Sequence, residues 1–328
     1  MCRIQQYGAS CRRTSGLLLA VGLAFVVPRS WVLNSGWYCD ASTFVGVGLI
    51  FFLQGLSLPT DELRRGYRPK RLHGFILSWN FLFFPLLTGL VLSQCGSYFG
   101  TELQLGFGLL AILPTTVASA TAFSALAGGH TGNALFASLY SNALAVWLVP
   151  ALAVSYLSLE AGTSIAVGPI FGQLGLLILL PLVSGQSVRR VAPLEAAWLA
   201  SRTQWLSPAI IALMVHLAFA RSIASGLLDT LAFPVLLAVL AVCSALLWIV
   251  SGLVWWSSVS LRCTQAQRIT CFFCASQKSL ATGLPLALSI LAAVGTSLDP
   301  AVILIPLLCY HPLQLLWAAW ISQRWQNG

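Results

Sequence analysis

Charge is what this sequence has least of. Eight acidic and seventeen basic residues, 8% of 328, sit almost wholly in gaps between long apolar runs. A water-exposed surface needs far more charge, so no soluble domain of any size fits. A soluble helical protein would also carry a polar stripe on each surface helix, and nearly every apolar run here lacks one. Alternation with period two is absent as well, which argues against membrane barrel strands. There is no HExxH, no GxSxG and no buried acid–base cluster, so an enzyme is not expected. Among nine cysteines, Cys271 and Cys274 lie three apart, but no second pair or nearby histidine completes a metal site.

Apolar sequence fills the space that charge leaves. Hydrophobic types make up 58% of the chain, and mean hydropathy is +0.87. A bilayer is crossed by about 20 helical residues, and bare peptide groups find no partner in lipid, so such runs form helices. Ten runs qualify: 15–34, 41–59, 73–93, 103–127, 132–156, 164–184, 205–225, 230–259, 278–298 and 300–322. The sequence thus predicts an all-α polytopic membrane protein of ten transmembrane helices, with residues 1–328 forming a single membrane domain. Arg12 and Arg13 ahead of Gly16–Val27 imitate a signal peptide, but the run continues to Trp31 and no small-x-small cleavage site follows. It is read as a retained helix.

Basic residues orient the chain. With the N-terminus in the cytoplasm, Arg3, Arg12 and Arg13 lie inside, as do Arg64, Arg65, Arg68, Lys70 and Arg71 between the second and third spans. Arg189, Arg190 and Arg202 follow, then Arg262, Arg268 and Lys278, then Arg324. Fifteen of seventeen fall inside and only Arg29 and Arg221 outside, so both termini are expected in the cytoplasm. The net charge of +9 is then mostly topology and calls for no nucleic acid. Membrane lipid is the expected surrounding, a bacterial inner membrane the default and a eukaryotic plasma or organelle membrane the alternative.

The block of spans one to five starts inside, and the block of spans six to ten starts outside. Equal odd halves in series, approximately 15–156 and 164–322, give two inverted repeats, a common plan of secondary transporters. In the first half, Leu113-Pro114-Thr115-Thr116-Val117-Ala118-Ser119 sits in mid-span. In the second, Ser276-Gln277-Lys278-Ser279-Leu280-Ala281-Thr282-Gly283-Leu284-Pro285 occupies the ninth span. Proline removes a helical hydrogen bond and clashes with the preceding turn. Pro114 and Pro285 are therefore read as matched helix breaks, each in the fourth helix of its half. Such pairs point to a mid-membrane binding site, where open peptide groups and half-helix ends meet an ion or an anion. Asn80 and Asn142 are further polar groups in apolar spans, with Ser141 beside Asn142 and Ser138 one turn back.

At these segments the chain resembles the bile acid:sodium symporter superfamily, and within it the divergent sodium/bile-acid-symporter-like branch. The likeness runs through Leu113–Ser119, Gly128-Gly129-His130-Thr131-Gly132-Asn133-Ala134, Ser141-Asn142 and Pro150, with Phe51–Leu58 before it and Ser276–Pro285 after it. It implies a ten-helix fold of a core and a panel domain, in which discontinuous helices four and nine cross. It implies an alternating-access transporter of a small organic anion, with sodium as the candidate coupling ion. The substrate and ion site would draw on Thr115, Thr116, Ser119, Ser138, Ser141, Asn142, Gln277, Lys278 and Thr282, with Ser119, Ser138 and Gln277 as the sodium ligands. No other cofactor is expected.

The chain departs from that pattern at two positions. Sodium-coupled relatives carry a glutamate four residues before the glutamine, where Phe273 stands here, and an asparagine where Lys278 stands. A cationic Lys278 facing the cavity would repel sodium, attract an anion or replace the coupling ion. At the cytoplasmic mouth it would simply snorkel. The missing carboxylate keeps open a rival function, a non-transporting membrane regulator of ion or lipid homeostasis built on a transporter scaffold.

Overall fold

The structure is a computed structural model that describes residues 19–20, 22–24, 26, 36–57, 67–161, 172, 175–226, 232–294 and 298–327. Most of the first expected span and the start of the sixth lie outside these residues. The described chain is all helix: α1 Gly36–Ser57, α2 Lys70–Ser78, α3 Phe84–Cys95, α4 Thr101–Ile112, α5 Ala118–Leu126, α6 Thr131–Ala161, α7 Leu180–Val191, α8 Pro193–Arg202, α9 Leu206–Ser225, α10 Phe233–Ser257, α11 Gln265–Ser276, α12 Leu280–Val294 and α13 Pro300–Asn327. Among the described residues, five helical stretches are long and apolar enough to cross a membrane: Lys70–Tyr98, Thr131–Ala153, Leu206–Ala224, Phe233–Leu261 and Pro300–Gln326. Phe44–Ser57 and Thr101–Ile112 are shorter apolar helices. A multi-pass, membrane-embedded architecture follows.

The chain divides into two compact units. One holds residues 1–58, 154–232 and 284–303. Its closest packing is α1 on α7, through paired glycines. A Cβ on Gly55 would lie 2.2 Å from the Leu182 carbonyl oxygen, and one on Gly185 would lie 2.2 Å from that of Phe52. Gln186 Nε2 then reaches Gly55 O at 2.7 Å and Arg189 Nη1 reaches Leu56 O at 3.2 Å, closing the last carbonyls of α1. The helix α8 buries Ala196 against Leu53 and Leu56 and leaves Leu194 and Trp198 exposed. In the same unit Ser222 donates to Asp299, whose other oxygen caps Ala301 N–H at the start of α13. His216 has a ring nitrogen 3.0 Å from Ala20 O.

The other unit holds residues 59–153, 233–283 and 304–328. It contains both interruptions. The helix α4 stops at Ile112 because Leu113 precedes Pro114 and takes an extended conformation, φ −69° and ψ 151°. The chain re-enters helix at Ala118 and leaves it at Gly128, whose φ of +82° suits glycine alone. The second interruption is not where proline marked it. Pro285 lies inside α12, one turn from its start, where only the Ala281 carbonyl loses its donor. The break is at residues 277–279, and the helix leading into it starts at Gln265 with a capping box between Thr264 and Gln267. The ninth apolar run, expected over 278–298, therefore begins well before its expected boundary. Between α2 and α3 a π-helical turn, Trp79–Phe83, precedes Pro85. Phe84 N–H bonds Trp79 O, and the next residue has no N–H to offer Asn80 O.

Candidate functional site

The two interruptions meet through their own backbones. Pro114 has no N–H for Leu110 O, so Leu113 N–H turns back to it at 3.4 Å and the chain straightens. Ser279 N–H then donates to Pro114 O at 2.8 Å, joining one break to the other. Asn142, from α6, secures the joint. Its Nδ2 donates to Thr115 O at 2.7 Å and to Ser138 O at 2.8 Å, while Thr282 Oγ1 donates to its Oδ1. Ser141 Oγ accepts from Thr115 N–H at 3.4 Å and from Asn80 Nδ2 at 3.5 Å. Asn80 Nδ2 also reaches Cys274 O at 3.3 Å. Peptide groups stripped of helical partners are thus met by amides and hydroxyls, as a membrane interior requires.

A second cluster lies where α5 begins. Gln277 Oε1 accepts from Thr116 Oγ1 at 2.8 Å and from Ser119 Oγ at 2.7 Å, and the two hydroxyl oxygens are themselves 2.5 Å apart. Thr116 Oγ1 also accepts from Ala120 N–H at 3.1 Å. Three buried polar atoms of the joint have no hydrogen-bond partner: Gln277 Nε2, a donor, Thr115 Oγ1, and Asn80 Oδ1, an acceptor. Leaving such groups empty-handed costs about 1–3 kcal/mol each.

Lys278 is fully buried, its ammonium enclosed by protein groups rather than open to solvent. The snorkelling placement is excluded. Its Nζ donates to Asn80 O, Ala111 O and Leu113 O at 2.9, 2.7 and 2.9 Å, and lies 4.2 Å from the centre of the Phe84 ring. Its backbone is gripped from α13: Gln314 Oε1 accepts from Lys278 N–H at 2.7 Å, and Gln314 Nε2 donates to Lys278 O at 2.8 Å. Tyr310 O–H caps Ser276 O at 2.9 Å. Gln314, Tyr310 and Phe84 were missed by sequence reasoning. Gln314 left a signal, a single amide in the apolar run Pro312–Trp317, whereas Tyr310 and Phe84 are indistinguishable from packing residues by type.

The candidate residues therefore fall into three adjoining groups. Thr116, Ser119 and Gln277 form one. Thr115, Ser141, Asn142 and Thr282 form another, and Lys278 is the third. Ser138 stands apart: its Oγ faces Cys274 Sγ at 3.8 Å rather than Ser119 or Gln277. Of the three expected sodium ligands, two touch and one does not. Among the described residues no group of His, Cys, Asp or Glu is placed to hold a metal ion. Phe273 is packed in an aromatic cluster, its ring 6.2 Å from Phe123, 5.2 Å from Phe272 and 5.9 Å from Trp325.

Comparison with known proteins agrees with this architecture. The SBF-like CPA transporter family matches residues 14–327. An uncharacterized protein of Pseudomonas aeruginosa is 33% identical over 324 residues, covering 95% of this chain and 92% of that protein. YfeH of Escherichia coli is 31% identical over 87% of this chain and 84% of its own length. Sodium/bile acid cotransporter 7 of Mus musculus is 29% identical over 92% of this chain and 88% of its own.

Proposed function

The chain belongs to the SBF-like CPA transporter family, and from that premise we propose that it is a secondary active transporter of a small organic anion, working by alternating access. Family membership points to transport rather than catalysis. The observation that carries the substrate class is the polar character of the joint between the interrupted helices. Gln277 Nε2 is a buried donor with no partner, Thr115 Oγ1, next in the chain to the Thr116 that bonds Gln277, has none either, and Lys278 adds a cation, while no carboxylate side chain is bonded there. Donors and a positive charge without an acid suit an anion.

In this reading Thr115, Thr116, Ser119 and Gln277 contact the solute, and Ser141, Asn142 and Thr282 hold the two breaks in register. Helices four and nine of ten are the interrupted pair, in inverted halves of approximately 15–156 and 164–322. The animal relatives named as sodium/bile acid cotransporters support sodium as the ion to test first, with Ser119 and Gln277 as its ligands and Ser138 needing to rotate toward them. The chain would sit in a bacterial inner membrane with both termini in the cytoplasm.

The test is uptake into sealed proteoliposomes of a panel of carboxylates and sulfonates, with and without a sodium gradient. Accumulation of an organic anion against its gradient is expected. The triple change Thr115→Ala, Thr116→Ala, Ser119→Ala is expected to lower uptake at least ~100-fold while membrane insertion persists, since it removes every hydroxyl of the first break. No concentrative uptake of any solute, or normal uptake by the triple variant, would overturn the reading.

A further inference from the structure

The ammonium of Lys278 rests in a cradle of peptide oxygens, and the sequence shows why each oxygen is free. Asn80 O is left over by the π-helical turn and by Pro85, which has no N–H. The helical partner of Ala111 O would be Thr115 N–H, which is turned instead to Ser141 Oγ. Leu113 O belongs to the extended segment beyond the end of α4. Three acceptors thus converge on one point, and the ammonium brings three donors to it, at 2.7–2.9 Å. The face of Phe84 closes a fourth side. No described carboxylate pairs with the group.

Neutral carbonyl oxygens arranged around a point can replace the hydration shell of a monovalent cation. Calcium and magnesium sit closer, at about 2.0–2.6 Å, and draw on carboxylates. We propose that Asn80, Ala111 and Leu113 build a monovalent-cation site that the chain fills with its own tethered ammonium, so that Lys278 is the resident cation of the joint. The charge links three segments far apart in sequence: the π-helical turn, the end of α4 and the second break. The cation site stands on geometry alone. Its consequence, that this position places no demand for sodium on the transport cycle, rests on the transport reading above.

The experiment measures the Tm of the purified full chain in detergent, in sodium, potassium, ammonium, methylammonium and N-methylglucamine chlorides at equal ionic strength. The wild type is expected to give one Tm in ammonium, methylammonium and N-methylglucamine, since its cradle is already filled; any response to sodium belongs to the separate site at Ser119 and Gln277. Lys278→Ala empties the cradle and is expected to melt lower in N-methylglucamine, then to gain about 3 °C or more in ammonium or methylammonium as the free cation binds the folded state. Lys278→Met refills the cradle with an uncharged chain of similar length and is expected to gain nothing. A Lys278→Ala blind to ammonium and methylammonium, an equal response from Lys278→Met, or a wild type that gains as much from ammonium as Lys278→Ala does would each overturn the proposal. So would failure of Lys278→Ala to fold in ammonium as well as in N-methylglucamine, since an accepting cradle is refilled in the first. None of these outcomes bears on organic-anion uptake by the wild type, so the two readings fail separately.

Discussion

Replacing Gln314 by leucine tests whether the second break is held from outside its own helix. Leucine keeps most of the volume of the side chain and removes both of its bonds to Lys278, N–H to Oε1 at 2.7 Å and Nε2 to carbonyl at 2.8 Å. Gln314, Lys278 and Ser279 are all buried, so water cannot step in. Two orphaned peptide groups would cost about 2–6 kcal/mol at about 1–3 kcal/mol each. Hydrogen bonds between membrane helices measure lower, about 0.6–2 kcal/mol, because the unfolded chain in the membrane also finds partners. For two bonds that is about 1.2–4 kcal/mol, which overlaps the first range around 3 kcal/mol, and for a chain of this size that corresponds to a fall in Tm of roughly 4 °C. Scanning fluorimetry in detergent reads it directly. A Gln314→Leu protein that melts within 1 °C of wild type would refute the account, because the break would then be sustained by α11 and α12 alone.

Two other perturbations probe the fold and the missing carboxylate. Gly185→Val places side-chain atoms where even a Cβ would meet Phe52 O at 2.2 Å and Leu56 N at 2.8 Å. The helices α1 and α7 must separate, so a loss of at least ~3 kcal/mol in unfolding free energy is expected, and a variant of unchanged Tm would show that the contact is not tight. Phe273→Glu restores by type the carboxylate of sodium-coupled relatives, but sets it among Phe123, Phe272 and Trp325. It should cost roughly 3–5 kcal/mol or more through lost packing and an unpaired acid and should confer no sodium-dependent rise in Tm. A stable, sodium-stabilised variant would show that the site accepts a carboxylate after all.

The first break was legible and the second was misplaced, for a reason that lies in what holds each. At Leu113 the cause is local: the residue before a proline avoids the helical region, and Pro114 cannot donate to Leu110. A single sequence carries that information. At Gln277–Ser279 the local signal is only half present: Ser279 Oγ accepts from Thr282 N–H at 3.2 Å and caps the start of α12, but nothing local stops α11. Its end is set by Tyr310 and Gln314 on α13 and by Pro114 O of the other break, partners separated from it by tens of residues or more. Reading the break from Pro285 was therefore reading the wrong cause. The same gap explains Lys278. Counted as topology it belongs with the inside charges, and removing it leaves the inside bias of the remaining basic residues unchanged, so orientation gave no hint that it was misassigned. Its true environment consists of three carbonyl oxygens and a ring, features that every residue of their kind possesses and that a sequence does not distinguish. Asn80 and Asn142 were legible because an amide in an apolar run must find partners, and the Nδ2 of each does. Gln314 met the same criterion and was passed over. Polar atoms inside the membrane can thus be enumerated from sequence, but which peptide groups they serve is decided only when distant backbone irregularities are brought together. The π-helical turn at Trp79–Phe83 shows this most clearly, for it frees one carbonyl with no visible purpose until Lys278 arrives to take it.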